Sequence, residues 1–141
     1  MRKIKLFLAA ALMFASTLTA AELPSDFLSA VEDVTAALSA DNFKQYQQAL
    51  PALTAANTDA ALAPLVDNLS GAKDIKAARQ QFLAFSNAVA GLVLAQADSS
   101  AQVFQCPMVP GGPGRWVQAS GTQIANPYFG KKMLRCGSRL N

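Results

Sequence analysis

The stretch DIKAARQQFLAFSNAVAGL, residues 74–92, decides the fold. Its apolar side chains Ile75, Ala78, Phe82, Phe85, Val89 and Leu92 recur in steps of three and four, the period of a helix with one buried face. Good helix formers fill the positions between them, and Asp74 stands where a side-chain acceptor caps a first turn. A helix of about five turns with a single apolar stripe is stable only when other amphipathic elements cover that stripe. Upstream residues supply them. Phe27, Val31, Val34 and Leu38 form one stripe, and Phe43, Tyr46, Leu50 and Leu53 form another after Asp41, read as its N-cap. A shorter helix is expected from about Pro64 to just before Gly71. Short connections between such helices predict an all-α fold, an antiparallel three- to four-helix bundle.

Composition changes near Asp98. Pro107, Pro110, Gly111, Gly112, Pro113, Gly114, Gly121, Pro127, Gly130 and Gly137 forbid long helices and predict an irregular Gly/Pro-rich segment of turns and short extended pieces. That segment also carries Phe104, Met108, Trp116, Val117, Ile124, Tyr128, Phe129, Met133 and Leu134. This is too much apolar surface to leave in water, so the segment is expected to pack on the bundle.

At the other end, Arg2, Lys3 and Lys5 precede the apolar run from Leu6 to Ala15 and the small residues up to Ala21. This is the pattern of a secretory signal peptide over residues 1–21, cleaved near Ala20 or Ala21, and it points to the periplasm. No later stretch has the length of uncharged apolar sequence a membrane span needs. Residues 22–141 then form one domain, with residues 104–137 as its motif-bearing C-terminal segment.

The net charge of +3 resides in the leader, since removal of Arg2, Lys3 and Lys5 leaves nine basic and nine acidic residues. A neutral domain is a poor partner for nucleic acid or anionic lipid. Its charges are sorted, however. The five basic residues after position 103 (Arg115, Lys131, Lys132, Arg135 and Arg139) have no acid among them, and this basic tail is expected to lie over the acidic helical half.

The chemistry concentrates in two sulfur pairs. Pro107 biases Cys106 toward an extended conformation, in which Cys106 and Met108 point to the same side. Met133 and Cys136 are three apart and share a face if that segment turns helically. Two thiols and two thioethers make a Cys2Met2 set suited to Cu(I) and similar soft ions. Zinc fits poorly, because the chain has no histidine. In an exported protein the same cysteines can equally close a disulfide over the loop from 106 to 136, worth about 3.6 kcal/mol by loop entropy. The methionines also read as core filler and Trp116 as a core anchor, while Asn126-Pro127-Tyr128-Phe129-Gly130 reads as a structured turn. Lys132 and Arg135 are expected to lower the pKa of Cys136. An enzyme is not expected: without histidine there is no ordinary nucleophile–base pair, and the cysteines are not arranged as C-x-x-C.

Taken together, Cys106-Pro107-Met108, Trp116, Asn126-Pro127-Tyr128-Phe129-Gly130, Met133-Leu134 and Cys136-Gly137 resemble a bacterial family of exported domains of unknown function. Its members occur alone or fused to periplasmic adaptor subunits of copper/silver-type heavy-metal efflux systems. Arg79, Phe82 and Ser86 resemble the family's last-helix pattern, and the likeness extends over nearly the whole of residues 22–141. The resemblance implies a helical bundle with a motif-bearing C-terminal segment, metal handling, and an efflux adaptor or other copper-handling protein as partner. Family members often carry a histidine near Cys-Pro-Met; here Gln105 precedes Cys106, which leaves an all-sulfur set. Cys106, Met108, Met133 and Cys136 are therefore the expected ligands of Cu(I) or Ag(I). The rival expectation is a disulfide-stapled helical interaction module without metal.

Overall fold

The computed structural model describes residues 22–141; the expected signal peptide lies outside the described residues. Four helices come first: α1 (Ser25–Ser39), α2 (Phe43–Ala56), α3 (Ala63–Leu69) and α4 (Ile75–Leu94). Each expected stripe is the buried one. Phe27, Val31, Val34 and Leu38 of α1 meet Tyr46, Leu50 and Leu53 of α2 and Phe82, Phe85 and Val89 of α4 in one continuous core. Asp74 caps α4 by accepting from the Ala77 N–H at 2.8 Å, and Pro64 sits in the first turn of α3. Two details differ. Leu92 is exposed and Val93 takes the buried position at the end of the stripe. The cap of α2 is Asn42, whose side chain accepts from Gln45, while Asp41 turns the corner with φ +56° and holds other partners described below.

The all-α expectation is overturned. Residues after Asp98 form a three-stranded antiparallel sheet of β1 (Ala101–Cys106), β2 (Gly114–Ala119) and β3 (Ser138–Arg139), in the order β2-β1-β3, so the fold is mixed helix and sheet. The breakers cluster in residues 107–113, where they make the hairpin loop, and in residues 120–137, where they connect β2 to β3. The six-residue pieces between them are free of Gly and Pro apart from Gly114, and they pair completely, Phe104 opposite Trp116 and Cys106 opposite Gly114. Short strands with both faces buried carry no clean alternation of apolar and polar residues, and so lack the periodicity that revealed the helices.

Alternation along β1 and β2 puts Phe104, Cys106 and Trp116 on one face and Val103 and Val117 on the other. All five are buried. Val117 lies beside Thr35 and Ser39 of α1, and α4 packs along β2. The Trp116 face is covered by the chain's return: Tyr128 meets the indole edge-on with ring centres 6.1 Å apart, and Phe104 stacks on it at 5.7 Å.

The return is fastened by directed polar contacts. Arg79 of α4 donates to the carbonyls of Pro127 (2.8 Å) and Leu38 (2.7 Å) and to the Asp41 carboxylate (2.6 Å), and the Lys131 N–H reaches the other Asp41 oxygen at 3.0 Å. Ser86 and the Tyr128 hydroxyl both donate to the Arg115 carbonyl at 2.6 Å. The tail thus lies on the helical half through backbone groups, while none of its basic side chains forms a salt bridge among the described residues. Arg79–Asp41 is the one salt bridge among the described residues, and both partners belong to the helical half. Gly130, at φ +56°, passes so close to Asp41 and Arg79 that a Cβ there would collide with both.

Candidate metal centre

Cys106 ends β1, fully buried on the Trp116 face. Cys136 lies just before β3, and the pairing of Gln105 with Ser138 draws the chain at residues 136–137 alongside the end of β1. The two sulfurs are consequently 3.4 Å apart, as free thiols, with Cys136 half-buried. Gly137 permits this approach. Its φ is +144°, and a Cβ on it would stand 2.7 Å from the Trp116 ring, so a side chain there would push Cys136 away from Cys106.

Asn126 holds the arrangement from the other side. It is completely buried; its Nδ2 donates to the Cys136 carbonyl at 2.9 Å, while its Oδ1 accepts from the N–H groups of Tyr128 (2.8 Å) and Phe129 (3.3 Å). Its own N–H reaches the Leu134 carbonyl at 2.8 Å. One side chain thereby shapes the turn at Tyr128 and anchors the backbone that carries Cys136. In the sequence Asn126 reads only as part of a turn. An Asn directly before Pro and two aromatic residues was a signal for an Asx-type hydrogen bond, but its second partner, ten residues on, was not legible.

The methionines occupy different settings. Met133 closes a 3₁₀ turn, Gly130–Met133, and its carbonyl accepts from the Cys136 N–H at 3.0 Å, so the expected turn between them exists, with Met133 half-buried. Met108 is the most exposed large apolar residue described, at 64%, in the loop that follows Cys106. The structure brings the two cysteines together, sets Met133 one turn from Cys136, and leaves the Met108 side chain in solvent.

The electrostatic expectation for Cys136 is reversed. Its thiol is held above the ordinary value, first by hydrogen bonding with Cys106 and then by burial. The Arg135 guanidinium is engaged elsewhere, donating to the Ile124 carbonyl. Lys132 instead lines a cleft with Asp41 and Arg79. Among the described residues no third Cys, Asp or Glu joins the pair to make a metal-ligating group. The two thiols are soft donors, as is the Met133 thioether one turn from Cys136. Two adjacent thiols can lose two protons and two electrons to form a disulfide, or lose protons to a soft cation that takes their place.

Comparisons with family models, with curated proteins and with solved structures find no match.

Proposed function

We propose that this chain is an exported, periplasmic protein that binds Cu(I) or Ag(I) as a buffer or carrier linked to metal efflux, with Cys106 and Cys136 as the thiolate pair. The observation that supports the reading is the 3.4 Å approach of the two sulfurs at a half-open position, with Met133 one turn away. Soft ions prefer this donor chemistry. Met108, exposed in the loop after Cys106, would contribute its thioether only as a further, weaker ligand. Because Cys136 holds its proton above the ordinary value, metal must displace that proton, and affinity rises with pH across the thiol range.

The same sulfur contact favours a second reading, in which the cysteines form a disulfide and the protein is a stapled interaction module. Both readings are decided by thermal melts of oxidised, reduced, and reduced Cu(I)-loaded protein. A plain staple loses about 2–4 kcal/mol on reduction whether or not copper is present. A metal site gains about 2.7 kcal/mol at a hundredfold excess of Cu(I) over its dissociation constant. In competition with a Cu(I) chelator we expect one ion per monomer, weakened by Met133→Ala and by Met108→Ala. If the reduced protein binds no more tightly than the Cys106→Ser/Cys136→Ser variant, there is no metal site.

A further inference from the structure

A second, separate feature is a cleft of about 660 Å³ between the start of α4, the hairpin loop and the turn that carries Phe129. Its size falls within the range of small-molecule sites, roughly 300–1,000 Å³. Leu83, Val109, Pro110 and Phe129 give it an apolar wall, to which Tyr128 adds a ring whose hydroxyl is already spent on the Arg115 carbonyl. Its charged groups divide into two kinds. Arg79 and Asp41 neutralise each other and are further held by the Pro127 and Leu38 carbonyls and the Lys131 N–H. Lys76 from α4 and Lys132 from the 3₁₀ turn are exposed, and neither ammonium has a carboxylate or other hydrogen-bonding partner among the described residues.

Two uncompensated ammonium groups from different elements, converging on an apolar cleft, define a ligand by complementarity. Its apolar body displaces water from the Leu83, Val109 and Phe129 wall, and its anionic group accepts charge-assisted hydrogen bonds at the rim. The geometry points to a binding site for a small amphipathic anion, an aromatic or alkyl carboxylate or sulfonate, held by Lys76 and Lys132 with its apolar body against Leu83, Val109 and Phe129. A neutral apolar molecule uses only half of this surface. A polyanion such as nucleic acid meets just the two lysines, and the cleft offers it no further cation beyond the already paired Arg79.

The site does not depend on the thiols, so it can be tested apart from the metal reading. The probes are 2-naphthoate and its neutral counterpart 2-naphthylmethanol, titrated at low salt with amide shifts followed by NMR. Shifts are expected at Leu83, Val109, Phe129 and Lys132, with naphthoate bound at least tenfold more tightly than the alcohol and losing that advantage as salt is raised. Lys76→Glu/Lys132→Glu should weaken naphthoate at least tenfold and leave the alcohol unchanged. Gln80→Trp, at an exposed position on the rim, should block both. Cys106→Ser/Cys136→Ser should keep naphthoate binding whatever becomes of metal binding. Equal affinity for the two probes, indifference to the charge reversal or to Gln80→Trp, or shifts confined to another part of the molecule would each overturn the assignment.

Discussion

The helical half and the C-terminal half bury similar kinds of side chain by different means. In α1, α2 and α4 burial follows from stripes, so that Val31, Val34, Leu38, Leu53, Phe82, Phe85 and Val89 are held by nondirectional packing against one another. In residues 101–139 the same kind of packing is supplemented by directed contacts. Asn126 ties Cys136 to Tyr128 and Phe129, the Trp116 Nε1 donates to Gln118 at 2.7 Å, the Pro127 carbonyl accepts from Arg79, and the Arg115 carbonyl accepts from Ser86 and Tyr128. Packing tolerates exchange among side chains of similar volume, whereas a buried hydrogen bond tolerates little, because an orphaned partner carries its full desolvation cost. The C-terminal half is therefore the half in which a single residue can misplace the cysteines.

The strongest test of the comparison is Trp116→Ala. The indole is fully buried between Phe104, Tyr128 and Gly137, and its removal should cost about 3–5 kcal/mol in denaturant melts. A loss below about 1 kcal/mol, the range of surface changes, would show that the sheet and its cover are not part of the shared core.

Next in size is Asn126→Leu, which keeps the branched heavy-atom shape, adds some bulk and removes hydrogen bonding. It strands the Tyr128 N–H and the Cys136 carbonyl, and a loss of about 1–3 kcal/mol is expected, together with faster alkylation of Cys136 as its backbone loosens. Unchanged thiol reactivity would mean that Asn126 serves the turn alone. The matching exchange in the helical half, Leu38→Met, conserves volume within a stripe and should cost less than about 1.5 kcal/mol. If it equals or exceeds Asn126→Leu, the contrast between the two halves fails.

The smallest effect is the pH dependence of the clasp at Asp41. The Arg79 hydrogen bond, with help from the Lys131 N–H, holds this carboxyl below the ordinary 3.8. A carboxylate whose pKa is depressed on folding contributes stability above its unfolded value and loses it as pH falls through the folded one. Wild type should therefore exceed Asp41→Asn in melting temperature near neutrality, and the gap should close below about pH 3.8, with a total under about 1 kcal/mol because the pair is partly exposed. The φ +56° corner tolerates Asn as well as Asp, so a gap that persists at lower pH would assign the effect to the hydrogen bonds accepted by both Asp41 oxygens instead of to charge.

The four helices were legible because a helix writes its buried face into the sequence every three or four residues, and Asp74 and Pro64 marked their ends as chemistry requires. The position of breakers after Asp98 was legible too, and so was the need for Trp116 and Tyr128 to be buried. What those breakers separate was not. Strands of six residues buried on both faces, and a two-residue β3, show no period, and only pairing across the chain makes them strands. The pairing of the sulfurs belongs to the same class of fact. Sequence alone named Cys106, Met108, Met133 and Cys136 as chemically apt, but the β1–β3 register, the missing side chain of Gly137 and the clamp of Asn126 set Cys136 against Cys106 and raise its pKa against the expectation from its basic neighbours. Local periodicity and residue chemistry are properties of a segment; register, proximity and the local field arise only when distant segments meet.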